Sequence, residues 1–141
     1  MCRTSNSASG DVTPAESNSS EDRKKYYKNG LFHREDGPAV VGQGYEMWYF
    51  EGRQHRKDGP AVVQSFDKDV RYDWFLNDKP HREGGPATYY KNNKSEYWLQ
   101  NGIQHREDGP AIVLYVDNDT VMKNWYFKGQ QHREDGPAYE C

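Results

Sequence analysis

The phrase His-Arg-x-Asp-Gly-Pro-Ala recurs five times with small variations, beginning at His33, His55, His81, His105 and His132, and it takes up all five histidines of the chain. Successive histidines are 22, 26, 24 and 27 residues apart. A slightly elastic period of that length is the mark of one supersecondary unit per copy, joined by loops of unequal length. Such units bury apolar surface by stacking on their neighbours, so function has to be read from the array.

Aligning the copies on the histidine shows how much else recurs. Seven positions earlier stand Tyr26, Trp48, Trp74, Trp98 and Trp125; three positions earlier, Gly30, Gly52, Asp78, Gly102 and Gly129. Arginine follows every histidine, and Gly-Pro-Ala closes every copy. In these columns the third copy departs twice, with Asp78 in place of the turn glycine and Gly84 in place of the motif aspartate. That copy is expected to bend or pair differently.

Each copy reads as a β-hairpin. In Glu46-Met47-Trp48-Tyr49-Phe50 a period of two puts Trp48 and Phe50 on one face and Tyr49 on the other. Asn29-Gly30, Glu51-Gly52 and Asn101-Gly102 follow as pairs suited to a tight turn whose central residues need positive φ. A second strand then runs through His-Arg into stretches such as Ala61-Val62-Val63 and Ala111-Ile112-Val113. Asp-Gly-Pro interrupts it, because glycine supplies a conformation other residues resist and proline removes a ladder donor. We expect a bulge or corner there, repeated five times. The predicted fold class is all-β, an elongated, curved antiparallel meander of about ten strands over residues 26–141, either open or closed into a barrel.

At 33% hydrophobic and 29% charged, the chain is too polar for a thick core, and aromatic side chains must supply much of the buried area. A net charge of −3 gives no reason to expect a nucleic-acid partner. No run reaches the ~20 apolar residues of a membrane span, and the N-terminus lacks a secretory apolar stretch, so a soluble, intracellular protein is expected. Cys2 and Cys141 read as free thiols, with an intermolecular or end-to-end disulfide as the alternative. Residues 1–25 are dominated by Ser, Asn, Thr, Glu and Asp and read as an arm that is disordered unless a partner orders it.

The segment Trp48-Tyr49-Phe50-Glu51-Gly52-Arg53-Gln54-His55 resembles the aromatic strand, turn and histidine of the MORN family of repeats (membrane occupation and recognition nexus). Arg56-Lys57-Asp58-Gly59-Pro60 then departs from the family's His-Gly-x-Gly continuation. The His-Arg-x-Asp-Gly-Pro-Ala variant is similar to MORN-like repeat proteins of large DNA viruses and tailed phages. This resemblance covers residues 26–141 and implies a scaffold, with a structural or assembly role in a virus and incorporation in a virion. Lipid binding does not transfer with a fold analogy.

The five His-Arg pairs invite a functional reading, since a ladder of guanidiniums can grip phosphates or carboxylates. A structural reading competes: Asp36, Asp58, Asp108 and Asp135 travel with their arginines and would pin the corner. On that reading His33, His55, His81, His105 and His132, with Arg34, Arg56, Arg106 and Arg133, are structural. Arg82, which has lost its aspartate to Gly84, is the candidate for ligand or partner binding. Histidines two strands apart, roughly 9.5 Å, do not converge on a zinc ion that needs four donors. No metal or cofactor is expected, and no single nucleophile beside a base suggests an enzyme.

Alternation leaves Tyr27, Tyr49, Phe75, Leu99 and Tyr126 as a second aromatic-rich column, a candidate strip for protein contact. The expected function is a non-catalytic repeat scaffold for protein–protein interaction or self-assembly. The alternative is a module that captures a small anionic or nucleotide-like ligand in a groove of arginines and aromatic rings.

Overall fold

The computed structural model describes residues 23–141 together with the short strand Thr13–Pro14. Most of the N-terminal arm, Cys2 included, lies outside the described residues. The protein is all-β, with no helix among the described residues, and therefore none long and apolar enough to cross a membrane.

Eleven strands lie side by side in chain order, all antiparallel: Thr13–Pro14, Lys24–Lys28, Val40–Gly42, Tyr45–Met47, Val62–Ser65, Val70–Asp73, Thr88–Tyr90, Glu96–Tyr97, Ile112–Tyr115, Val121–Asn124 and Tyr139–Glu140. Leu31–Phe32 pairs off the side of Lys24–Lys28 as a twelfth. One continuous register row crosses the sheet from Lys25 through Val40, Met47, Val62, Asp73, Thr88, Tyr97, Ile112 and Asn124 to Tyr139. The order is linear, and the first and last strands do not pair. The first strand, Thr13–Pro14, comes from the N-terminal arm and pairs with Tyr26 and Tyr27 of the second.

Twenty strands occur among the described residues where about ten were expected, one from the arm and the rest because the hairpins are broken part-way. Four tips form separate two-stranded ladders, Tyr49–Phe50 with Arg53–Gln54, Phe75–Leu76 with Lys79–Pro80, Leu99–Gln100 with Ile103–Gln104 and Tyr126–Phe127 with Gln130–Gln131. The break has a simple backbone cause. The Trp48 carbonyl accepts from His55 N–H at 3.2 Å while Trp48 N–H donates to the Ala61 carbonyl at 2.7 Å. The same two bonds occur at Tyr26, Trp74, Trp98 and Trp125. The six residues from His to Pro thus leave the ladder and rejoin it on one aromatic residue, a larger excursion than a one-residue bulge.

Every tip turn has positive φ at both central residues, as in Glu51 (48°) and Gly52 (79°) or Asn101 (52°) and Gly102 (79°). The third copy keeps this turn, with Asn77 at 51° and Asp78 at 66°. Asp78 offsets the strain of a left-handed non-glycine residue through its carboxylate, which accepts Gln54 N–H at 2.7 Å while Asp78 N–H donates to the Gln54 carbonyl. The departure at position 78 therefore adds a bond between copies and leaves the geometry unchanged.

The core is thin and lies where the excursions rejoin. Ala39, Ala61, Ala87 and Ala111 are fully buried, and Val40, Val62 and Val113 are nearly so. Asp73 is buried in the same sheet and is satisfied, with Oδ2 accepting from Arg71 Nε and Oδ1 from the Thr88 hydroxyl, both at 2.7 Å. Burial pushes the Arg71 guanidinium down, but Asp73 and Tyr90 together leave it raised. On the opposite edge Asp69 ties two loops together by accepting from the backbone amides of Val70, Asn92 and Asn93.

Candidate functional site

The motif side chains meet at the corners, and each has a definite task. All five arginines fold back over the aromatic ring of their own copy, with Cζ 4.2 Å from the ring centroid of Tyr26 and 3.9, 3.9, 3.8 and 4.0 Å from those of Trp48, Trp74, Trp98 and Trp125. Nη1 of each donates to the carbonyl of the proline four residues on, at 3.2–3.4 Å. The other face of the guanidinium lies against the motif glycine. A Cβ on Gly37, Gly59, Gly85, Gly109 or Gly136 would stand 2.7–3.0 Å from the arginine Cζ.

This corrects the expected role of that glycine. None of the five has positive φ, so the position demands glycine for want of space, to let arginine lie flat between a ring and the backbone. Gly84 is the reverse case, in open space with φ of 73°.

The histidines link one copy to the next. Nδ1 of His33, His55, His81 and His105 accepts the backbone N–H of Glu51, Asn77, Asn101 and Lys128, at 3.0, 3.4, 3.0 and 3.1 Å. Each of these donors is the first residue of the following tip turn. An accepting Nδ1 fixes the neutral ring in the tautomer protonated at Nε2. That nitrogen faces Glu35 at 3.5 Å in His33, Glu83 at 4.0 Å in His81 and Glu107 at 3.7 Å in His105. Backbone bonds run alongside, from Arg34 N–H to the Tyr49 carbonyl and from Gly52 N–H to the Phe32 carbonyl, with counterparts at the three later junctions.

The aspartates divide the copies into two kinds. Asp36, Asp108 and Asp135 accept from Nε of Arg34, Arg106 and Arg133, each at 2.9 Å. These bonds are the first cause that holds the three carboxyls below their usual range. Asp58 makes no such pair with Arg56 among the described contacts, and Arg82 has no motif aspartate, so the expected pinning holds in three of the four copies that carry the acid. Burial pushes the Arg82 guanidinium down.

The column Tyr27, Tyr49, Phe75, Leu99 and Tyr126 is half-buried. Tyr27 stacks on Phe32 at 4.8 Å, and Phe32 meets Tyr49 at 5.1 Å. Phe66, Tyr115, Val116 and Tyr139 are exposed elsewhere, and five further exposed apolar side chains lie at the outer ends of the tips. They are Leu31, Phe50, Leu76, Ile103 and Phe127, at 51, 44, 37, 51 and 39% exposure. Each tip contributes one of them, cross-strand from a polar partner: Lys28, Arg53, Lys79, Gln100 and Gln130. Phe50 lies between His33 and His55, at 4.7 and 6.4 Å, and Phe127 takes the same place between His105 and His132. Sequence alternation missed this ridge because its members swap strands from copy to copy.

Among the described residues no three His, Cys, Asp or Glu side chains converge as metal ligands. No family model, curated protein or solved structure matches the chain.

Proposed function

We propose that this chain is a non-catalytic repeat scaffold that binds proteins, copies of itself included, through the exposed ridge of its tips. The observation that carries this reading is the row of one exposed apolar side chain per copy, from Leu31 to Phe127, beside corners whose histidines and arginines are largely engaged within the array. Regularly spaced apolar groups rimmed by Lys, Arg and Gln have the make-up of a contact surface, an apolar centre with a polar border. The five-hairpin MORN-like architecture and a role in virus assembly stay part of this proposal. They are supported by the fivefold motif and by its resemblance to repeats of large DNA viruses.

The experiment is light scattering of the full chain over a range of concentrations, beside the double variant Phe50→Ser, Phe127→Ser and a chain truncated to begin at Tyr26. A scaffold that joins through the ridge gives a mass above the monomer that rises with concentration and collapses in the double variant. Truncation lowers the mass only if the arm takes part. A full chain that stays monomeric throughout removes self-association, and a mass indifferent to both phenylalanines removes the ridge.

A further inference from the structure

The corners enclose grooves between successive copies, and of the three described one differs in charge from the other two. Between the fourth and fifth copies, in about 900 Å³, Arg106 and Arg133 face four carboxylates, Glu107, Asp108, Glu134 and Asp135. Between the first and second, in about 750 Å³, cations and carboxylates balance. Between the second and third, in about 670 Å³, three cations, Arg56, Lys57 and Arg82, face only Asp58 and Glu83. Two departures from the motif cause this: Lys57 stands where every other copy has glutamate, and Gly84 where every other copy has aspartate.

Of the five motif arginines, the two of this groove are those whose Nε carries no carboxylate among the described contacts. In the sibling copies a carboxylate oxygen sits 2.9 Å from Nε, on a guanidinium already immobilised by its ring, its glycine and a proline carbonyl. The same framework holds Arg56 and Arg82, through Trp48, Trp74, Pro60 and Pro86. The outer edge that a carboxylate oxygen occupies in the siblings is left without one in both, since Asp58 makes no ion pair with Arg56 among the described contacts and Gly84 replaces the aspartate after Arg82. We propose that the groove between the second and third corners binds a phosphate monoester carried on a flat or apolar group. Two guanidinium edges and one ammonium suit a dianion with several acceptor oxygens better than a single carboxylate. Phe75 and the exposed Leu76 line the same groove and offer a wall for the carrier group. The groove shares Leu76 with the ridge of the tips, but Phe50 and Phe127, the two side chains that test self-association, are not part of it.

The test is titration of the full chain, followed by NMR of the arginine Nε–H and tryptophan indole N–H resonances, with phenyl phosphate, adenosine monophosphate, inorganic phosphate and benzoate. Saturable shifts at Arg56, Arg82 and Trp74 are expected with one or both esters, and the tighter ester identifies the carrier as a simple aryl group or a nucleoside. Benzoate is expected to bind at least about tenfold more weakly, and Lys57→Glu, an exposed change to the sibling residue, to weaken the ester at least about tenfold. Glu107→Gln, in the acidic groove, is the control and leaves binding unchanged. Absence of saturation by either ester overturns the proposal, as does a Lys57→Glu chain that titrates like the parent. Benzoate binding as tightly as the esters removes the preference for a dianion, and inorganic phosphate matching both esters removes the apolar wall.

Discussion

Nδ1 of His33 lies 3.0 Å from the backbone nitrogen of Glu51, so the imidazole of the first copy completes the turn of the second. His33 is 1% exposed, and its ring also packs on Phe50 at 4.7 Å. Replacing it with phenylalanine keeps an aromatic ring but strands the Glu51 amide. His33→Phe is expected to lose about 1–2 kcal/mol in urea unfolding, the cost of a half-buried donor left unpaired. His132 holds no following turn among the described residues and its side chain is 56% exposed, so His132→Phe should change stability by under about 0.5 kcal/mol. Equal losses at the two positions would show that the ring, and not the bond, is what matters.

Adjacent glycines in the third copy separate two reasons for having no side chain. At Gly85 a Cβ would stand 2.7 Å from Arg82 Cζ, and Gly85→Ala must push the guanidinium off Trp74 at about 1–3 kcal/mol. At Gly84 there is open space but a φ of 73°, so Gly84→Ala is expected to cost about 1 kcal/mol through the backbone alone. Tryptophan fluorescence distinguishes them, since only Gly85→Ala should alter the Trp74 environment.

Asp73 is the buried carboxylate that two neighbours depend on, Arg71 and Thr88. Asp73→Ala leaves a half-buried guanidinium without its counter-charge and is expected to destabilise by about 3 kcal/mol. Thr88→Val removes one neutral donor and should cost about 1 kcal/mol. A double variant that costs less than the two single losses together, measured by denaturant unfolding, would confirm that the pair acts through one carboxylate.

Acid should weaken the corners in a defined direction. Asp36, Asp108 and Asp135 have carboxyls held low first by the hydrogen bonds from Arg34, Arg106 and Arg133. A depressed folded value means that their contribution is complete above the unfolded value of ~3.9 and disappears as pH falls through the lower folded one. The urea midpoint is therefore expected to decline below about pH 4, and the triple Asp→Asn variant to decline less steeply. All three groups are exposed, so the difference should be modest and should shrink with added salt. Parallel curves for parent and variant would show that other carboxylates control acid unfolding.

Local chemistry was legible in the sequence, and relations between copies were not. The turn pairs announced themselves because Asn-Gly and its relatives have a distinctive backbone preference, and Asn29, Glu51, Asn101 and their glycines all adopt it. The travelling aspartates at 36, 108 and 135 likewise predicted their ion pairs. The partner of His33 lies 18 residues away in the next copy, and only the stacking register determines which amide it meets. The corner at Asp-Gly-Pro was legible, but its extent was hidden, because alternation continues through Trp48 while the backbone partner changes from His55 to Ala61. Lys57 was visible as the odd residue at the third motif position, yet its weight emerges only when Arg82 of the following copy, which has no aspartate two residues on, is found to line the same groove.

From the aromatic residue to the rejoining alanine every copy spans the same number of residues, and all the elasticity of the period falls in the loops at the other edge. The turns at Gly42–Tyr45, Ser65–Val70, Tyr90–Glu96 and Tyr115–Val121 absorb it without disturbing a single corner. The molecule therefore has one edge whose dimensions are dictated by its neighbours and one that is free to lengthen. Grafted segments or inserted binding loops would be tolerated at the second edge, whereas one residue added at the first would shift an imidazole, a guanidinium and the junction that follows.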